Sequence, residues 1–168
     1  MFLSQNVAKT KRIGENLARK ILQNKSRRKK ALGFGLIGDL GGGKTTFLQG
    51  FAKGLGIRER ILSPTFVIMK RFKIYDSPKH RAHKSLCARA TGQVRFKNFY
   101  HVDCYRIHKP KEILALGWKK IIKNSQNIVA VEWADKIKKL LPKDKIMVTF
   151  EVIGKNRRKI KIIYSSLV

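Results

Sequence analysis

Gly38-Asp39-Leu40-Gly41-Gly42-Gly43-Lys44-Thr45 decides how this chain reads. The stretch satisfies G-x-x-x-x-G-K-[ST], the phosphate-binding loop or P-loop, and each position has a physical task. Glycines let the backbone turn tightly and aim N–H groups inward, forming a nest for phosphate oxygens. Lys44 sets a point charge against β- and γ-phosphates, and the Thr45 hydroxyl is a hard oxygen ligand for Mg2+. The motif demands a buried strand before it and an amphipathic helix after it. Residues 31–37 (ALGFGLI) are an almost wholly apolar run of strand length, and Phe47, Leu48, Phe51, Ala52 and Leu55 recur at helical spacing. The loop opens that helix, whose N-terminal dipole favours an anion. The expected nucleotide-binding set is Asp39, Leu40, Gly41, Gly42, Gly43, Lys44, Thr45 and Thr46.

A magnesium–nucleotide site also needs carboxylates near the loop, and the chain holds only ten Asp and Glu residues. Asp103 and Glu132 each sit at the end of an apolar, strand-like run, residues 99–102 and 128–131. In open α/β sheets, ligands bind beyond the carboxyl ends of the parallel strands. Both acids are therefore expected in the crevice that holds Lys44. One would hold Mg2+ directly or through water; the other would orient the attacking water or sense the γ-phosphate. The competing reading has each acid cap the next segment or pair with a surface lysine.

Outward from this centre, residues 4–22 read as a helix with Ser4 as N-cap. After Ser63-Pro64-Thr65-Phe66 comes an apolar run, Val67-Ile68-Met69, and then a poorly patterned basic stretch. Residues 70–97 carry nine Lys/Arg and one acid, Asp76. Pro110 opens a helix expected to run through about Ile122. A short helix with Ile137, Leu140 and Leu141 stops at Pro142. The last run, Lys145 to Val152, and the one carrying Ile160 and Ile162 alternate as a hairpin with one buried face. The expected fold is a P-loop NTPase-like three-layer α/β sandwich. Its sheet is mixed and mostly parallel, with a C-terminal antiparallel hairpin. One domain is expected over 1–168, with a basic inserted loop at about 73–97.

Composition bounds the rest. The 168 residues include 39 Lys+Arg against 10 Asp+Glu, a formal net charge of +29, and 43% are hydrophobic. That apolar share supports a packed core and excludes a wholly disordered chain. The charge points to attraction for polyanions or to a lysine-rich lineage, and it carries no information about fold. Cys87 and Cys104 make no CxxC pair, which fits a reducing compartment. No window approaches about 18 uninterrupted apolar residues, so no membrane contact is expected and a cytoplasmic location is.

Four blocks together resemble the TsaE (YjeE) family of small bacterial P-loop ATPases. They are residues 38–46 (GDLGGGKTT), 63–66 (SPTF), 99–106 (FYHVDCYR) and 131–133 (VEW), in the family's order along nearly the whole chain. The resemblance implies slow ATP hydrolysis in the service of N6-threonylcarbamoyladenosine formation beside the tRNA anticodon. It implies TsaD-like and TsaB-like protein partners, with tRNA met indirectly through that complex. Thr45 and Glu132 would then ligate Mg2+, and Lys44 would contact phosphates. Asp103 would be the acid needed for turnover, and Thr65 would lie in a switch-like loop near the γ-phosphate. Trp133 would lie near the nucleotide, and Arg157 or Arg158 near its base or ribose. Three positions depart from the family pattern. Gly42 stands where Ala is common, Cys104 where Leu is usual, and the connection from Met69 to Phe99 is longer.

Other readings stay open at this point. His80, His83 and Cys87 have spacing permissive for zinc but lack an obvious fourth ligand. His101 is expected to pack or hydrogen-bond beside the sheet. A P-loop small-molecule kinase would need an acceptor pocket and an Arg-bearing lid. A basic, non-catalytic nucleic-acid-binding module would draw on the charge, although no aromatic stacking signature accompanies it.

Overall fold

The computed structural model describes residues 1–24, 28–75, 96–143 and 145–165. Seven strands form one sheet: β1 Phe2–Ser4, β2 Leu32–Ile37, β3 Met69–Lys73, β4 Asn98–Asp103, β5 Asn127–Glu132, β6 Lys145–Val152 and β7 Arg158–Tyr164. Their order is β1-β7-β6-β2-β5-β4-β3. The four central strands, β6, β2, β5 and β4, run parallel, and both flanks are antiparallel. The expected C-terminal hairpin is β6–β7. A second antiparallel flank, β3 on β4, and an extra strand β1 beyond β7 add to the expected sheet.

The sequence of β2 explains the layering. Alternation sends Leu32, Phe34 and Leu36 to one face, where they join the core beneath helices α1 (Val7–Gln23) and α2 (Lys44–Gly54). Gly33 and Gly35 face the other way. A Cβ on Gly33 would lie 2.9 Å from the Pro142 ring, and one on Gly35 would lie 3.0 Å from Ala134 Cβ. Missing side chains thus let the second layer sit close against the sheet. That layer comprises α3 (Pro110–Ala115), α4 (Trp118–Lys123) and the 3₁₀ segment Ala134–Leu140. Buried Trp118 ties it together by donating its indole N–H to Leu140 O at 2.9 Å. The expected three-layer arrangement is therefore the observed one.

The first layer is unusually tight. A Cβ on Gly50 of α2 would lie 1.9 Å from Lys11 O, and one on Gly14 of α1 would lie 2.2 Å from Phe47 O. Backbone meets backbone where the helices cross. Below them Phe47 and Phe51 pack with Phe34, Phe99 and Phe150, with ring centroids 4.7–6.5 Å apart. This packing fixes the start of α2, and with it the P-loop, against the strands.

Two boundaries differ from expectation. Ser4 does not cap α1: it ends β1, and its buried hydroxyl meets that of Thr10 at 2.7 Å. Asn6 is the cap, accepting from Lys9 N at 2.8 Å. The helix expected from Pro110 to Ile122 is two short helices, because Gly117 adopts φ 76° between them. Most of the basic stretch, residues 76–95, lies outside the described residues, as do His80, His83 and Cys87. Among the described residues, no helix is long and apolar enough to cross a membrane.

Candidate functional site

The parallel strands bring three chain segments to one edge of the sheet. The P-loop leaves β2, Asp103 ends β4 and Glu132 ends β5. Asp103 and Glu132 face each other in register, and Leu36 faces Glu132 from the other side. Both acids are buried. Both act electrostatically on the Lys44 ammonium, and among the described residues neither pairs with a surface lysine. Asp103 does cap locally as well, since its Oδ1 accepts from Tyr105 N at 2.9 Å.

Glycines shape the loop as its chemistry requires. Gly41 and Gly43 take φ of 71° and 99°, values that ordinary side chains resist. Gly42 matters for space: a Cβ there would lie 2.8 Å from Asp39 O. That carbonyl already accepts from Gly42 N at 3.0 Å and from Lys44 Nζ at 2.8 Å. The family-type alanine would press on it, so glycine suits the cradle as built here. Lys44 Nζ also donates to Gly38 O at 2.7 Å and lies 4.1 Å from the Trp133 ring centroid. Burial pushes the Lys44 ammonium below its usual range, and the Glu132, Asp103, Asp39 and Asp135 carboxylates pull it back up. Four of the ten acids in the chain thus act on one lysine. Leu40 is exposed, and Thr46 is half-buried in the first turn of α2.

The Thr45 hydroxyl donates to both Glu132 oxygens, at 2.8 and 3.0 Å. Two hard oxygen groups thus converge at the mouth of the P-loop. This set suits Mg2+, which takes one or two protein oxygens and fills its shell with water and phosphate. Glu132 Oε1 has a second partner, His101 Nε2, at 2.8 Å. His101 is fully buried, and its Nδ1 has no hydrogen-bond partner. Asp103 is held differently. Its Oδ2 accepts from the hydroxyls of Ser63 and Thr65, the latter at 2.6 Å. The SPTF block therefore reaches the site through Asp103.

The aromatic and cationic rim is mixed. Trp133 follows Glu132 with φ 58°, a left-handed turn, and packs on Tyr105 at 5.3 Å as well as on Lys44. Arg158 comes to the P-loop backbone, donating to Gly41 O at 3.2 Å. Arg157 is exposed, and its backbone closes the β6–β7 turn. Cys104, another departure from the family pattern, is buried in the apolar cluster with Trp118 and Ile113, and its N–H donates to Glu132 O at 3.0 Å. Burial, with the Asp103 carboxylate second, pushes its thiol up to about 12.

Sequence reasoning did not pair His101 with Glu132 or Ser63 with Asp103. The first pairing has a readable half. Period-two alternation puts Phe99, His101 and Asp103 on one face, and Ile128, Ala130 and Glu132 on one face. The register that sets His101 beside Ala130, one pleat before Glu132, is the other half.

Known proteins bear on this geometry. The family model described as "Threonylcarbamoyl adenosine biosynthesis protein TsaE" matches residues 4–160. A TsaE of Borreliella burgdorferi is 34% identical over 125 residues, spanning 74% of this chain and 76% of that protein. A TsaE of Rickettsia felis is 31% identical over 167 residues, spanning 99% of this chain and 81% of its relative. Among solved structures, YdiB of Bacillus subtilis superposes with a TM-score of 0.66 at 28% identity. That match covers 98% of this chain and 84% of YdiB.

Proposed function

The chain belongs to the TsaE family, and from that premise we propose that it is a Mg2+-dependent, ATP-binding and ATP-hydrolysing subunit for tRNA threonylcarbamoyladenosine formation. It works in the cytoplasm as a single domain with TsaD-like and TsaB-like partners, and it meets tRNA through them. The observation that carries this reading is the meeting of the Thr45 hydroxyl and the Glu132 carboxylate beside the Lys44 ammonium.

The residues divide the work. Backbone N–H groups of the P-loop and the start of α2 cradle the phosphates. Lys44, now bound to two loop carbonyls, turns its charge to the β- and γ-phosphates. Thr45 and Glu132 would hold Mg2+, which when bound would supply neutralisation of charge developing on the phosphates. Asp103 orients the attacking water, and Thr65 places the SPTF segment beside it. Trp133 flanks the nucleotide, and Arg158 steadies the loop at Gly41. Turnover is slow unless the partners complete the site.

The test is ATP turnover by the full chain mixed with its TsaD-like and TsaB-like partners. Lys44→Ala and Glu132→Ala should each lower it by about 100-fold or more, the scale for loss of one preorganised charge-stabilising group. Full turnover by either variant would overturn the reading.

A further inference from the structure

His101 is an odd residue for its position. It lies in β4 between Tyr100 and Val102, with no exposed surface, stacked at 6.5 Å beside Phe99. Packing alone would favour Leu or Phe there, because an imidazole nitrogen left unpaired in a core is costly. Nδ1 is so left, while Nε2 makes its bond to Glu132 Oε1 at 2.8 Å. A carboxylate oxygen can only accept, so Nε2 carries the hydrogen.

The partners of Glu132 give that bond its meaning. Among the described residues, its carboxylate hydrogen-bonds to Thr45 and to His101. Thr45 is the fellow ligand: its hydroxyl oxygen has lone pairs for a cation while its hydrogen points to Glu132. His101 is the partner that a cation would not share, and it holds the carboxylate's rotation from inside the sheet. Its place in β4, one strand over, makes it a rigid support for a ligand at the end of β5. We propose that His101 is the positioning residue for Glu132, holding Oε1 through Nε2–H so that the carboxylate presents to the divalent cation in one orientation. The inference rests on the Mg2+ reading of Thr45 and Glu132. Outer-shell partners of this kind commonly change metal affinity by about 10–100-fold when removed.

Calorimetric titration of a slowly hydrolysed ATP analogue into the full chain, with Mg2+ and with chelator, tests it without turnover. The readout is the ratio of the two affinities. His101→Leu should shrink that ratio about tenfold and leave the metal-free affinity unchanged. His101→Gln, whose amide N–H reaches the Nε2 position, should keep the wild-type ratio. His101→Asn, one methylene shorter, should behave like the leucine variant. If leucine prevents folding, the Asn and Gln pair carries the same contrast. Equal ratios in all folded variants would overturn the role of His101 alone. A wild-type chain whose affinity ignores Mg2+ would overturn the Mg2+ reading and this inference with it.

Discussion

Glu132 and Asp103 are neighbours on one rung of the sheet, both buried, yet two different regions hold them. Glu132 is bonded to Thr45 at the start of α2 and to His101 inside β4. Both supports belong to elements that the phenylalanine core fixes. Asp103 is bonded to Ser63 and Thr65, on a segment that leaves Leu62, Phe66 and Val67 exposed at 59, 83 and 66%. Buried carboxylates need partners, and this chain supplies one set from its scaffold and the other from a loop. Segments with little buried apolar surface open most readily. The scaffold-held acid thus suits a fixed task such as cation binding. The loop-held acid can exchange hydroxyls for water when the segment moves.

The sharpest way to break this contrast is in the scaffold. Gly50→Ala would gain about 1 kcal/mol of helix propensity, but its Cβ would strike Lys11 O, a backbone atom that cannot rotate aside. Overpacking at the top of its usual range of about 3 kcal/mol should win, with a net loss of about 2 kcal/mol in urea unfolding. Nucleotide affinity should fall with it, because the helix crossing seats the P-loop.

A finer test removes the loop's grip. Ser63→Ala with Thr65→Ala takes both hydroxyls from Asp103 and should cost about 2 kcal/mol in the same assay, near 1 per hydrogen bond. Turnover with partners should fall roughly tenfold, less than the roughly 100-fold or more expected when such a group is lost outright. The Mg2+-dependent gain in nucleotide affinity, set by Glu132, should persist. Loss of that gain would mean that the two acids work as one unit.

The smallest effect lies in the shared floor at Cys104. Burial raises its thiol from 9.0 to about 12, so the unfolded chain loses this proton first as pH climbs. The thiol's contribution is whole below pH 9.0 and fades between there and about 12. At pH 10 the loss should be roughly 1 kcal/mol, and Cys104→Val should flatten that part of the pH–stability curve.

Much of this arrangement is legible in the sequence, and the reasons are local. The P-loop, the apolar run before it and the two acids at strand ends are short, contiguous signals. They suffice to place Lys44, Thr45, Asp103 and Glu132 at one crevice. What escapes is what depends on distant pairing. β1 has three residues and exists only because β7 lies beside it. Ser4 and Asn6 are both good helix caps, and the Ser4–Thr10 contact decides between them. Gly117 sits in a helical pattern whose break shows only once its positive φ is seen. The bond from His101 to Glu132 needs a register that alternation alone does not supply.

The β3–β4 hairpin has a bearing on how this chain tolerates extra length. Its ladder starts at the site end, with Met69 opposite Val102. It closes at the far end, where Lys73 faces Asn98 and Ile74 N bonds to Lys97 O. Five residues at about 3.3 Å each put that far end roughly 16 Å from the crevice. Residues 76–95 therefore attach where two strand tips already stand side by side. The chain thus leaves the sheet at β3 and rejoins it at β4 side by side, at the end remote from Asp103 and Glu132.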